Sequence, residues 1–445
     1  MQDQIIQNCF DSHVHLLATG QVATGLDLSF LNSLSQLGSI KKNPEYFRGE
    51  WLVGFGWDQH HWSETNSLLI QWPNKTYLDE VFKTEPVYFS RIDGHTGWFN
   101  SIAQRKLIEL GFDFQSPKYI SQIIWMESEP SGILLDQAHI DAMMLLPAFT
   151  AAQEKLFLKQ ACTLFNRGGF THIRDLSSSS QLWNQLDELQ ASQNFSLCVE
   201  GNITIENIHD LDRGVREYLE TKNANNPFLR MKGLKIFVDG SLGSKTAALF
   251  ENYQHENQNG SLYWNEDEIA RVISKCWEMN AEVSFHTIGD RAVDLVVRTA
   301  RKVSASGVMG RINLEHVQLI KPETLLLMKP LHLTCHMQPC HWLSDKTWLK
   351  STVSKTTYSE LFQWERLRKN KIALQFGSDS PIEKTSLLRN LQALADSAAS
   401  GIQELSENAL AFHSHPDSKW TASKTVFNSE KIKQVVFDGR TVFES

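Results

Sequence analysis

The stretch FDSHVHLL, residues 10–17, alternates two histidines with apolar residues near the start of the chain. This alternation is typical of a β-strand, in which residues two apart point to the same face. His13 and His15 would therefore project side by side, with Asp11 on the same face. Two such imidazoles form either a partly exposed polar edge or part of a metal site, because histidine is a common metal ligand. Further ligands elsewhere in the chain decide between these interpretations.

Seven further short runs of apolar and β-branched residues alternate with helix-length amphipathic segments. They cover residues 170–176, 196–203, 234–240, 281–289, 311–318, 331–339 and 372–381. This alternation predicts parallel βα units, and eight such units close a distorted (β/α)8 TIM barrel. A doubly wound open sheet is the structural alternative, but no glycine-rich phosphate loop follows the first strand to support it.

The predicted domain organisation is one large barrel over residues 10–401 with a single insertion. Residues 18–169 are too apolar and too long for a loop, so they are predicted to form an inserted subdomain over the barrel mouth. Residues 402–445 are predicted to be a C-terminal tail that ends in a hairpin with Asp438 and Gly439 at the turn. His413 and His415 lie in this tail and are interpreted as part of a flexible surface segment.

Composition and charge exclude several classes of function. The 445 residues are 41% hydrophobic and 21% charged, which is ordinary for a soluble globular protein. A formal net charge of -8 without a basic cluster argues against a nucleic-acid partner. The six cysteines are scattered, and neither a signal peptide nor a long apolar run is found. We therefore expect a cytoplasmic protein with a small-molecule substrate and no membrane partner.

Residues of metal-ligating types lie on five of the predicted strands or at their ends. Because the C-terminal strand ends of a barrel face one mouth, these side chains would converge there. Each residue alone has an ordinary explanation as an edge histidine, a helix cap or an outward-pointing lysine. Together they predict a metal site formed by His13, His15, Lys235, His286, His316 and Asp379.

A series of motifs resembles the amidohydrolase superfamily, in its N-substituted formamide deformylase-like branch (amidohydrolase family 3). The motifs run in order from residue 10 to 385 and are DSHVH, GWDQHHW, RIDGHTGWFN, LKIFVDGSLGSKTAAL, SFHTIGDRA, LEHVQLIKPE, MQPCHW and FGSDSP. The resemblance implies a metal-dependent hydrolase on a distorted barrel. Its expected reaction is cleavage of a non-peptide C–N bond, of the amide or formamide type, by a metal-activated hydroxide.

The resemblance also implies roles for the metal-site residues. One divalent ion would be held by the two first-strand histidines with Asp379, and a second by His286 with His316; zinc is the expected metal. Burial lowers the pKa of a lysine, so Lys235 could react with carbon dioxide and bridge the two ions as a carbamate. Asp379 would move the proton of the nucleophile to the leaving nitrogen.

Five other residues receive predicted roles around this centre. His95 would donate to the substrate carbonyl or bind the substrate, and Trp57 and Asp58 would line the pocket. His341 would bind substrate near the barrel mouth. Asp11 would orient one of the metal-binding histidines through a hydrogen bond.

Two other functions stay open at this point. One is a mononuclear deaminase, or an ester or lactone hydrolase, on the same barrel; the other is an inactive barrel that serves as a binding module. Lys235 favours two metals, and the complete ligand set argues against an inactive barrel. Members of this family usually carry a small β-sandwich from both chain ends. Here its N-terminal half is expected to be missing and its C-terminal half shortened, and a homodimer stays open as the oligomeric state.

Overall fold

The computed structural model describes residues 3–63, 72–223, 225–399 and 409–445, which form two compact units. The first unit comprises Met1–Thr19 with Leu158–Ser445, and the second comprises Gly20–Phe157. The second unit is shorter at both ends than the predicted insertion of residues 18–169. The difference arises because the helices Leu16–Thr24 and Ala151–Arg167 each cross a boundary between the units.

Eight parallel strands form the centre of the first unit. In chain order they are Phe10–Val14, His172–Ser178, Cys198–Thr204, Leu229–Phe237, Glu282–Thr287, Arg311–His316, His332–Met337 and Ala373–Phe376. Each strand pairs with its successor along the chain. At the seam, Val14 forms a parallel bridge with Ser380, which follows the eighth strand. This nearly closed barrel confirms the predicted distorted (β/α)8 fold and excludes the doubly wound sheet.

Helices connect the barrel strands and carry amphipathic sequences. Those within the first unit are Ser180–Ala191, Leu211–Thr221, Glu266–Glu278, Asp290–Ser304, Pro322–Met328, Pro339–Asp345, Leu349–Thr352, Lys355–Ser359, Trp364–Lys369 and Leu387–Ala399. The third of these begins with a reciprocal cap, in which Asn265 and Glu268 each accept the other's backbone N–H. Its residues Ile269 and Ile273, one turn apart, are buried in the core. Within the described residues, no helix has both the length and the apolar character needed to cross a bilayer.

A four-stranded antiparallel sheet completes the first unit. Across the sheet its strands are Gln4–Gln7, Lys424–Phe427, Ile432–Phe437 and Arg440–Glu444. Asp438 and Gly439 form the predicted hairpin turn, both with positive φ, as a two-residue turn of this type requires. The expectation that the N-terminal contribution to such a sheet is missing is wrong, since the residues before the FDSHVHLL motif supply one strand.

The tail histidines are buried, so their interpretation as a flexible surface segment is wrong. His413 is fully buried and His415 is 4% exposed. His415 packs against Phe10 and Trp420, with both ring centroids at 4.8 Å. Its Nε2 lies 3.2 Å from a carboxylate oxygen of Glu200. The polar sequence around these histidines predicted exposure, but Phe10 and Glu200, which lie against His415, come from distant parts of the chain.

The second unit contains a seven-stranded mixed sheet. Its strands are Leu26–Asp27, Phe47–Arg48, Trp51–Trp57, Val87–Arg91, Thr96–Phe99, Ile123–Met126 and Glu129–Leu135, and its helices include Lys75–Val81, Ser101–Glu109 and Asp136–Leu145. Neighbours along a strand, such as Tyr88 and Phe89, fall in different apolar clusters. Because adjacent strand residues point to opposite faces, this sheet is buried on both sides.

Candidate metal centre

Three buried side chains form a compact donor cluster in the barrel. His13 lies in the first strand, His316 ends the sixth strand and Asp379 follows the eighth. One ligand atom from each lies within 4.8 Å of the others. The cluster forms because parallel strands present their C-terminal ends at the same side of the barrel.

Two more predicted ligands, His15 and His286, lie beside this cluster. The Nε2 atoms of His13 and His15 are each 3.2 Å from Asp379 Oδ1, so this oxygen lies between the two imidazoles. The ring centroid of His286 is 4.4 Å from that of His316. The structure therefore brings the four predicted histidines and Asp379 together.

Lys235, in the fourth strand, is fully buried and its ammonium group forms no hydrogen bond with the described residues. Its Nζ lies 4.8 Å from the ring centroid of Phe237. Burial lowers the pKa of Lys235 to about 8, although the charges of Glu315 and Asp379 act in the opposite direction. Lys235 therefore becomes a neutral amine at mildly alkaline pH.

Several buried polar atoms in this region form no hydrogen bond with the described residues. They include His13 Nε2, Lys235 Nζ and Asp379 Oδ1. Leaving such an atom unpartnered costs about 1–3 kcal/mol. Imidazole nitrogens and a carboxylate oxygen are the donors that divalent zinc-like ions prefer. The residues present therefore fit a bound divalent metal, which would satisfy donors that the protein leaves unpaired.

Surrounding polar side chains fix the orientation of the histidines. His13 Nδ1 donates to Glu315 Oε2 at 2.7 Å, and Arg174 donates to the other oxygen of Glu315 at 2.9 Å. His316 Nδ1 lies 2.9 Å from Gln338 Oε1, which accepts its proton. A proton held at Nδ1 leaves the lone pair at Nε2 free to bind a metal.

Sequence reasoning missed these orienting residues. Glu315 and Arg174 did offer a signal, because a charged residue inside an apolar strand needs a buried partner. The predicted role of Asp11 is wrong. Asp11 Oδ1 accepts the backbone N–H of Ser378 at 2.8 Å and thus links the first strand to the residues after the eighth, instead of contacting a histidine ring.

The charges around Asp379 favour its ionised form. Burial by itself raises the pKa of this carboxyl group, but His13, His15 and His316 more than offset burial and hold the pKa well below its usual range. Burial holds the pKa of His316 well below its usual value. The site thus offers a carboxylate and a neutral imidazole, the protonation states that metal binding requires.

His341 lies at the same end of the barrel. Its Nε2 is 3.6 Å from Asp379 Oδ2, and its Nδ1 is 3.2 Å from the amide nitrogen of Gln318. Because the amide N–H of Gln318 donates to Nδ1, the neutral ring carries its own proton at Nε2. His341 therefore presents an N–H group beside the donor cluster.

Trp57 does not line a pocket, so its predicted contact with substrate is wrong. Its side chain is fully buried in an apolar core of the second unit, where it packs against Trp62 and Trp98. Its indole N–H donates to the carbonyl oxygen of Phe89 at 3.1 Å. The tryptophan-rich motif is thus explained by packing.

Asp58 and His95 belong to a charged network within the second unit. The guanidinium group of Arg91 donates to Asp58 and to Asp93, each at 2.6 Å. His95 Nδ1 lies 3.0 Å from Asp136 Oδ1, and its side chain is 18% exposed. Their contact with a substrate stays a prediction.

The barrel and its donor cluster define a metal-dependent hydrolase as the class of protein. The sequence model of the Amidohydrolase family matches residues 10–406 of the chain. This chain therefore belongs to the amidohydrolase family. Its branch within the family stays a prediction.

Known relatives match most of the chain at low identity. The protein YtcJ of Bacillus subtilis (strain 168) is 28% identical over 400 residues, which are 86% of this chain and 71% of YtcJ. The protein LONG AFTER FAR-RED 3 of Arabidopsis thaliana is 24% identical over 403 residues, which are 87% of this chain and 68% of that protein.

Solved structures share the fold. A crystal structure described as an uncharacterized metal-dependent hydrolase from Pyrococcus furiosus matches with a TM-score of 0.66 at 26% identity, over 88% of this chain and 77% of that chain. One with the same description from Pyrococcus horikoshii OT3 matches with a TM-score of 0.69 at 24% identity, over 90% of this chain and 76% of that chain.

Proposed function

We propose that this protein hydrolyses a non-peptide C–N bond of the amide or formamide type with the help of bound divalent metal. The observation that carries the proposal is the buried cluster of His13, His316 and Asp379, with donor atoms that no hydrogen bond satisfies. The cluster lies where barrels of this class carry their active sites. Zinc is the proposed metal because nitrogen and carboxylate donors in a compact site suit it.

The chain's own residues supply the proton transfers. A divalent metal held by these donors would act as a Lewis acid that polarises a carbonyl oxygen and lowers the pKa of water. Asp379 accepts a proton from the attacking water at a carboxylate oxygen and delivers it to the leaving nitrogen. The N–H of His341, 3.6 Å from this carboxylate, donates to the substrate.

Lys235 is proposed to hold the second ion after carboxylation. Its burial and lowered pKa support reaction of the neutral amine with carbon dioxide. The unpartnered state of Nζ supports this role as well, because a carbamate at this position would gain metal contacts. His95 and Asp58 are proposed to bind the substrate, a small molecule.

A mononuclear deaminase, or an ester or lactone hydrolase, is the second candidate. The observation that favours one metal is that the three-residue cluster is compact enough to hold an ion by itself. The number of ions per chain separates the two candidates.

The first test is the metal content of protein purified without chelator, measured by elemental mass spectrometry. Two ions per chain support the carbamate-bridged centre, and one supports the mononuclear candidate. None, after incubation with zinc and bicarbonate, contradicts both. Lys235→Ala should lose metal and recover part of it when a short carboxylate such as acetate is added. Lys232→Ala, in the same strand, is the matched control and should keep its metal.

The second test compares substrate classes on the metal-loaded protein. N-substituted formamides and N-acyl amines should be hydrolysed faster than matched esters and lactones. Faster ester or lactone hydrolysis, or release of ammonia from amino-heterocycles without amide hydrolysis, would contradict the proposed bond type.

A further inference from the structure

A second polar region lies at the N-terminal ends of the barrel strands, away from the metal centre. It contains a cavity of about 600 Å³, and residues that begin strands, such as Glu282, Arg311 and His332, line it. This volume falls in the range of small-molecule sites, about 300–1,000 Å³. Because active sites of such barrels lie at the opposite end, the catalytic chemistry does not explain this cavity.

Cations outnumber carboxylates in the lining of the cavity. Its six cationic side chains are Arg174, Arg230, Lys232, Arg311, Lys329 and Lys371, and its three carboxylates are Glu200, Glu282 and Asp417. A cleft with an excess of one sign of charge concentrates ions of the other sign. The lining therefore favours an anion.

The excess positive charge is concentrated on two of these side chains, because the other four each lie within ion-pair distance of a carboxylate. Lys232 Nζ lies 3.1 Å from Glu282 Oε1, while Arg311 approaches the same oxygen only to 3.7 Å. Lys329 and Lys371 form no ion pair with any residue that the structure describes. These two lysines are exposed, so they are free to turn towards an incoming anion.

One residue that lines the cavity carries a buried hydrogen-bond acceptor without a donor. This residue, His336, is 5% exposed, and its Nδ1 has no hydrogen-bond partner among the described residues. Its Nε2 lies 3.3 Å from Asn313 Oδ1, and the amide group of Asn313 donates to Glu282 at 3.0 Å. Since Asn313 uses its N–H towards Glu282, its oxygen accepts from His336 Nε2, and His336 Nδ1 keeps a lone pair.

A second acceptor lies next to this one. Gln375 pairs with His336 in the register of the neighbouring strand and also lines the cavity. Its Oε1 is buried and forms no hydrogen bond with the described residues. Two acceptors beside a cationic surface call for a ligand that both carries negative charge and donates hydrogen bonds.

We propose that this cavity binds a small hydroxylated anion, with its charged group at Arg311, Lys329 and Lys371 and its hydroxyl groups on His336 Nδ1 and Gln375 Oε1. A phosphate ester and a hydroxycarboxylate share this chemistry. The proposal is independent of the bond that the metal centre cleaves.

Isothermal titration calorimetry on the metal-loaded protein tests the proposal with sn-glycerol 3-phosphate and glycerate as probes. At least one of them should bind at one site per chain, at least ten-fold more tightly than inorganic phosphate and than glycerol. Preference between the two identifies the charged group as phosphate or carboxylate. No binding of either probe, or equal binding of inorganic phosphate, would overturn the proposal.

Variants locate the site. Lys329→Gln combined with Lys371→Gln should weaken binding at least ten-fold, whereas Lys222→Gln combined with Lys355→Gln removes the same charge elsewhere and should leave binding unchanged. His336→Leu should abolish the preference over inorganic phosphate. Lys329 and Lys371 are exposed, so their double variant tests the proposal even if His336→Leu does not fold. Unchanged affinity in that pair, or loss of binding in Asp379→Asn, would overturn the proposal.

Discussion

The two ends of the barrel are both polar, but they treat their polar groups differently. At the C-terminal end, imidazoles and one carboxylate face each other with buried atoms left unpartnered, as at His13 Nε2 and Asp379 Oδ1. At the N-terminal end most charges are paired, as Lys232 is with Glu282. Polar residues alone therefore do not mark a ligand site. Buried donors and acceptors that the fold leaves unsatisfied mark it more sharply.

A buried network connects the two ends. Arg174 lines the N-terminal cavity and donates to Glu315, which accepts from His13 of the metal centre. Arg174 also donates to the hydroxyl group of Ser284 and to the backbone carbonyl of Ser12. The barrel interior is thus held by a charged pair where other barrels use branched apolar side chains.

The largest expected difference between the ends is in catalysis. Asp379→Asn should reduce turnover by about 10³-fold or more, because the amide cannot accept the nucleophile's proton, while metal content changes little. Asp417→Asn, at the other end, should change turnover less than two-fold. Steady-state kinetics with metal analysis measures both. Full activity in Asp379→Asn would contradict its role as a base.

Breaking the link between the two ends of the barrel is expected to have the next largest effect. Glu315→Gln leaves the buried guanidinium group of Arg174 without its carboxylate, so we expect a loss of about 3–5 kcal/mol in the free energy of unfolding. Metal affinity should fall about 10–100-fold, because His13 loses its orienting acceptor. Denaturant unfolding and metal titration measure these changes.

Glu217→Gln is the control for this link, since it breaks the partly exposed pair with Arg213. It should cost less than about 1 kcal/mol. Equal losses in Glu315→Gln and Glu217→Gln would show that the buried network contributes no more than a surface pair.

Acid should destabilise the barrel through its buried neutral histidines. Burial lowers the pKa of His172 and of His336 to about 3 each and that of His413 to about 4. Unfolded histidine has a pKa near about 6.5, so below that pH the unfolded chain binds more protons at these residues and stability falls. Each contributes a loss of about 1.4 kcal/mol per pH unit between about 6.5 and its folded pKa.

As the pH falls, Asp11 and Glu383 change the stability in the opposite direction. The histidine effect is therefore measured as the difference between wild type and a histidine variant. Burial raises the pKa of both carboxyl groups to about 7, so the folded chain binds their protons first. Between pH 6 and pH 5, the free energy of unfolding of metal-free His413→Phe should fall by about 1.4 kcal/mol less than that of the metal-free wild type. An identical pH dependence in the two proteins would contradict the neutral, buried state of His413.

The smallest effect is expected for an exposed pair at the N-terminal end. Arg230 donates to Asp417 at 2.8 Å, but both side chains are more than one-third exposed. Arg230→Gln should therefore cost about 1 kcal/mol or less in a thermal or denaturant unfolding experiment. A loss as large as that of Glu315→Gln would remove the contrast between buried and exposed charges.

The sequence by itself determined the eight strands, their parallel order and the strand ends on which His286, His316 and Asp379 lie. It could do so because strand periodicity, turn residues and the position of a polar residue within an apolar run are local properties. The barrel rule then assigns these strand ends to one side.

Only the tertiary structure decided which groups meet. It paired Arg174 with Glu315, buried His415 against Phe10, and placed Trp57 in an apolar core instead of a pocket. Each of these outcomes depends on partners that are distant in the sequence. The reason is physical: burial and the pairing of buried charges are set by close packing in three dimensions, which no local pattern records.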